Sequence, residues 1–98
     1  MIKVKEFISE GVVIGLEITG HANSAEKGKD LVCAGVSSIV IGGFNSLNKE
    51  DIEEISLEEG YAKVILKNTN VESINYLKVI DIQLRTIEES YPKYIKIK

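Results

Sequence analysis

Two side chains stand alone in their kind here: His21 is the only histidine and Cys33 the only cysteine. They lie close together within the stretch Gly20 to Ser37, separated by a polar, glycine-bearing segment and a helix-start signal. A thiol and an imidazole are the minimum parts for nucleophilic acyl transfer, because the imidazole can take the thiol proton and leave a thiolate. Asp30 precedes an apolar run directly and is a good N-cap residue. A helix opened by Asp30 carries Cys33 in its first turn, near free backbone N–H groups and the positive end of the helix dipole. That setting favours a thiolate, and the same N–H groups could hold the oxyanion of a tetrahedral intermediate. Asp30 has two competing roles: capping those N–H groups, or turning toward His21 to orient the imidazole. Ser37 lies one turn beyond Cys33 on the same helical face, where it could bond to the site or back to its own helix.

Other chemistries have less to stand on. One cysteine and one histidine fall short of a zinc ligand set, so no metal and no cofactor are expected. A thiol redox cycle lacks a resolving cysteine. The carboxylate pairs Glu53-Glu54 and Glu58-Glu59 sit at strand ends or turns and read as solvated charge. The rival to catalysis is a binding module in which Cys33 is a small core residue.

The elements that must position the two side chains read as β-β-α-β-β-α-β. Residues 2–8 and 12–19 form a hairpin turning at Ser9-Glu10-Gly11, with Val12, Ile14, Leu16 and Ile18 sharing one face of its second strand. His21 follows that strand directly. A helix over residues 31–47 presents Val32, Val36, Ile39, Val40, Gly43 and Leu47 to the sheet. No charge occurs between Leu31 and Asn48. Glycines cost about 1 kcal/mol each in a helix interior. Three of them here, Gly35, Gly42 and Gly43, predict a second element close over Gly35, Ser38 and Gly42. Phe44 lies roughly 16 Å along the helix from Cys33, too far to line a pocket there. A second hairpin follows over 52–57 and 61–67, then an amphipathic helix over 71–90 with Ser73, Leu77, Ile80, Leu84 and Ile87 inward, and a last strand over 94–97. Strands with one apolar face want helices on one side only. The expected fold is α+β: a two-layer α/β sandwich with a mostly antiparallel sheet and two helices on one face.

The 98 residues suit one domain spanning 1–98. A net charge of −3 argues against direct nucleic-acid binding, which needs a basic face. No apolar run approaches the roughly 20 residues that span a bilayer, and the charged N-terminus does not read as a signal peptide. A cytoplasmic protein with a free thiol is the expectation.

Gly20-His21-Ala22, then Ala25 and Gly28, then the block Asp30-Leu31-Val32-Cys33-Ala34-Gly35-Val36-Ser37, resemble the signature of the bacterial ribosomal-processing cysteine protease (Prp) family. Chain length and element order are similar too, so the resemblance covers essentially the whole chain. It implies a cysteine endopeptidase that removes the N-terminal extension of large-subunit ribosomal protein L-twenty-seven, cutting after a pair of bulky apolar residues. On that resemblance Cys33 is the nucleophile and His21 its general base. The segment Asn23, Ser24, Ala25, Glu26, Lys27, Gly28 and Lys29 would cover the substrate cleft. The partners implied are a ribosomal protein precursor and a second copy of the chain, the latter meeting the uncharged back of the first helix. Leu31 and Gly35 stand where isoleucine and alanine are common in the family. The alternative is a non-catalytic, ribosome-associated binding module with a structural cysteine.

Overall fold

The structure, a computed structural model, describes residues 1–23, 25 and 30–98. Its elements are β1 (Ile2–Ser9), β2 (Val12–Thr19), α1 (Leu31–Ser46), β3 (Ile52–Glu58), β4 (Tyr61–Leu66), α2 (Val71–Ser90) and β5 (Ile95–Ile97), with a short 3₁₀ turn at Lys49–Asp51. The sheet runs in the order β3-β4-β2-β1-β5. Only the β1–β5 pair is parallel. Both helices pack on one face, giving the expected α+β sandwich, and the core lies between the layers.

Alternation decides which strand residues enter that core. Ile2 and Val4 of β1, Leu16 and Ile18 of β2, and Ala62, Val64 and Leu66 of β4 point inward and are buried. A bulge interrupts the first hairpin: Phe7 pairs with Gly15 but Ile8 pairs with Val13, which leaves Ile14 without a cross-strand partner. An extra residue resets the alternation. Val13, not Ile14, packs against the core, contrary to the reading of an uninterrupted β2 face.

Helix α1 turns Val32, Val36, Val40 and Phe44 into the core. Gly35 and Gly43, read respectively as outward and sheet-facing, both lie under α2. A Cβ on Gly35 would stand 3.1 Å from Ile87 Cδ1, and one on Gly43 2.6 Å from Ile80 Cγ1. The second element expected over α1 is therefore α2, but it follows the Gly35–Gly43 line. Residues four apart stack along one helical stripe, and Ser38 and Gly42 fall on the next one. Nothing lies within 4 Å of a Cβ on Gly42, Ser38 is exposed, and Leu31 is 77% exposed.

Among the described residues, the buried polar side chains are Asp51, Ser73 and Asp81. Asp51 accepts from Ser73 Oγ at 2.7 Å and Asn68 Nδ2 at 3.2 Å, and its carbonyl takes the N–H groups of Lys67 and Asn68. The hydrogen bonds from Ser73, Asn70 and Asn68 hold its carboxyl below the usual range. At the other end, Glu6 continues the inward face of β1 and meets α2. Arg85 bridges Glu6 at 2.6 Å and Asp81 at 3.3 Å, while Asp81 Oδ1 is buried without a hydrogen-bond partner. Burial, then the neighbouring Glu6, push Asp81 up to about 6. Burial also acts to raise Glu6, but the bonds from Asp81 and Arg85 outweigh it and leave Glu6 lowered.

Between the ordinary aspartate value of 3.8 and about 6, the folded protein holds a proton on Asp81 that the unfolded chain has released. Stability attributable to Asp81 therefore falls as pH rises through that interval. Glu6, with its lowered value, contributes in the opposite sense only below about the ordinary glutamate value of 4.5. Asp81→Asn keeps an acceptor for Arg85 and removes the titration. Melting temperatures recorded from about pH 5 to pH 7 should show a decline for the wild type that is absent in Asp81→Asn.

Candidate active site

Strand β2 ends at Thr19 and delivers Gly20-His21-Ala22 to the edge of α1. Gly20 adopts a φ of 92°, a region open to glycine at little cost. Its N–H donates to the Gly60 carbonyl at 3.0 Å, which joins the end of β2 to the β3–β4 turn. Ala22 is buried, and its N–H donates to Cys33 Sγ at 3.2 Å. The residues flanking His21 are thus anchored, one to a hairpin turn and the other to the sulfur. His21 itself is exposed and Cys33 half-buried. Among the described residues no hydrogen bond joins them.

Asp30 is the N-cap of α1, and its Oδ1 accepts the Cys33 N–H at 3.0 Å. The Asp30 carbonyl takes the Ala34 N–H, also at 3.0 Å. Of the two roles open in the sequence, capping is the one with a bond to show for it. The cap also occupies the Cys33 N–H, so that donor is not free to meet an oxyanion in this state.

His21, Cys33, Asp30 and Ser37 all line one cleft of about 790 Å³, together with Asn23 and Ala25. The other segment residues expected over the cleft, Ser24, Glu26, Lys27, Gly28 and Lys29, lie outside the described residues. The cleft walls include Ile18, Val36, Val40, Ile41, Leu57 and Ala62. Phe44 is not among them; it is buried in the core and borders a separate groove beside β3. Glu58, Glu59, Gly60 and Tyr61 also line the cleft. Glu58 and Glu59 are solvated, as the sequence suggests, but they stand at its rim. Sequence reasoning missed the β3–β4 turn as part of the site. Its only local signal, a glutamate pair before a glycine, is that of any hairpin turn.

The site is a half-buried thiol in the first turn of a helix, sharing an apolar cleft with an imidazole on an α+β sandwich. The chain belongs to the Prp family of cysteine proteases: the family model described as cysteine protease Prp matches residues 1–96. It is 37% identical over 99 aligned positions to the ribosomal processing cysteine protease Prp of Mycoplasma genitalium, covering 99% of this chain and 94% of that one. It is 30% identical to the protein of that name from Bacillus subtilis, covering 87% and 84%. The crystal structure of the essential ribosomal processing protease Prp of S. aureus, in complex with a covalently linked product peptide, superposes with a TM-score of 0.90. That match has 29% identity and covers 100% of this chain and 98% of the other.

An N-cap side chain contributes about 1 kcal/mol to stability. Asp30→Ala should lower the urea unfolding free energy by about that amount, whereas Asp30→Asn, which keeps the acceptor oxygen, should retain most of it.

Proposed function

We propose that this chain is a cysteine endopeptidase that removes the N-terminal extension of ribosomal protein L-twenty-seven during ribosome maturation. The observation that carries the reading is the shared cleft: Cys33 and His21 both line it, and the Ala22 N–H is aimed at Sγ. The names of the relatives supply the substrate class, since they are ribosomal processing proteases.

His21 takes the Cys33 proton, and the thiolate attacks the scissile carbonyl. The Ala22 N–H, bonded to Sγ at rest, follows the negative charge as it passes to the substrate oxygen. The tetrahedral intermediate collapses as His21 returns the proton to the leaving amine. Water, activated by the same imidazole, then hydrolyses the thioester. The apolar walls suit a pair of bulky apolar side chains before the cut. Asp30, Glu58 and Glu59 line the cleft, with no lysine or arginine among the described lining residues, which suits basic residues beyond the cut.

The free thiol and the ribosomal substrate suit the cytoplasm. No helix among the described residues is long and apolar enough to cross a membrane. The outer face of α1 is uncharged and leaves Leu31 exposed, which supports a homodimer formed through that face.

The test is a digest read by mass spectrometry. A peptide whose extension ends in Phe-Phe, followed by Ala-Ser-Lys-Lys, should be cut once, after the apolar pair. Cys33→Ala should abolish the cut, and His21→Ala should lower kcat by about 10²–10⁴-fold. Undiminished cleavage by Cys33→Ala would remove the nucleophile assignment. If wild type leaves the peptide intact and Cys33 reacts with iodoacetamide only after unfolding, the binding-module reading takes its place.

A further inference from the structure

The β3–β4 turn makes an unusually close approach to the imidazole. An ideal Cβ built on Gly60 would stand 2.8 Å from His21 Nε2, 3.3 Å from Cε1 and 3.6 Å from Cδ2. Below 3.0 Å something must shift, and here the atom in the way is the far end of the His21 side chain. The backbone next to His21 meets the same residue, through the bond from the Gly20 N–H to the Gly60 carbonyl. Gly60 therefore meets the His21 ring with its Cα side and the backbone of the preceding residue, Gly20, with its carbonyl.

Glycine at this position has two separable reasons. One is conformational, since Gly60 has a φ of 73°, which L side chains rarely adopt. The other is the room it leaves for the ring. Gly11, in the β1–β2 turn at the opposite end of the sheet, has only the first: its φ is 78°, and nothing lies within 4 Å of a Cβ built there. The fold thus contains its own control for the backbone effect.

We propose that Gly60 is a positioning residue for His21. The bare Cα of the β3–β4 turn seats the Nε2–Cε1 edge of the imidazole, and that seat sets where the ring stands relative to Cys33. The proposal rests on the reading of His21 as general base, and it gives a hairpin far away in sequence a part in the reaction. A side chain at Gly60 leaves both reacting groups in place chemically and moves one of them. Displacement of a catalytic group by about 1 Å can cost about 10²-fold in rate.

The test uses the full chain and the fact that His21 is the only histidine, so its ring resonances are unambiguous in NMR spectra. In the wild type, an NOE between the His21 Hε1 and the Gly60 α-protons is expected; its absence overturns the proposal without any variant being made. Gly60→Ala is then compared with Gly11→Ala. Gly60→Ala should shift the His21 ring resonances, displace the pH–rate profile and lower kcat about 10–100-fold with KM changed less than about threefold. Gly11→Ala, carrying similar backbone strain, should leave ring resonances and kcat at wild-type values. Ring resonances and kcat that match between the two variants overturn the proposal. Failure of the underlying reading looks different: full activity in His21→Ala removes the base assignment, while the NOE and the ring shifts still report whether Gly60 seats the imidazole.

Discussion

The site depends on the first turn of α1, where two hydrogen bonds converge on one residue. Asp30 Oδ1 takes the Cys33 N–H and so sets the start of the helix. The Ala22 N–H reaches Cys33 Sγ from the strand side. Sulfur is a weak acceptor when neutral and a much better one when charged, so the second bond gains strength as the thiol loses its proton. That bond also ties the segment carrying His21 to the helix carrying Cys33. A single main-chain contact therefore couples where the imidazole stands to where the sulfur stands. Asp30 occupies the Cys33 N–H, and the donor aimed at the sulfur comes from the His21 segment rather than from the helix.

The scaffold holds this turn against the sheet by a close helix–helix contact. Gly35 and Gly43 leave α1 bare along one stripe, and Ile87 and Ile80 of α2 fill it. Two glycines cost about 2 kcal/mol of helix propensity, which the burial of Ile80, at about 1.5–3 kcal/mol for a fully buried side chain, and the partial burial of Ile87 offset. The sheet face of α1, with Val32, Val36, Val40 and Phe44, then meets the strands. The third stripe stays open and uncharged, and part of it, at Ser37 and Ile41, borders the cleft.

Buried carboxylates brace the two ends of this assembly with opposite consequences. Asp51 receives hydrogen bonds on both oxygens and is stabilised as the anion. Asp81 shares Arg85 with Glu6 and keeps one oxygen without a partner. The anion there is less favoured than in water, because burial and the neighbouring Glu6 cost it more than its attraction to one half-exposed guanidinium returns. A proton on Asp81 would turn it into a donor toward Glu6. Both acids stand outside the cleft, and their task is the contact between α2 and its neighbours.

The sequence by itself determined the parts that are local or periodic. Alternation and helical spacing placed both hairpins, both helices and the last strand, and the choice of one helical layer came from strands with a single apolar face. Asp30 was legible as a cap because an N-cap is recognised by the apolar run directly after it. His21 and Cys33 were conspicuous by their uniqueness. The motif around them resembled the Prp family, to which the chain belongs. Tertiary structure alone decided the rest. The bulge at Ile14 depends on the partner strand, and the stripe of α1 that α2 covers depends on the crossing of two helices. Asp81 and Arg85 are an i,i+4 pair within α2, but their meeting with Glu6 joins α2 to β1, a contact that no spacing encodes. The β3–β4 turn became a wall of the cleft only because β4 pairs with β2 and carries Gly60 to the end of that strand. A side chain's chemistry can be read along the chain, but its surroundings come from residues distant in sequence, and those are assigned by the fold.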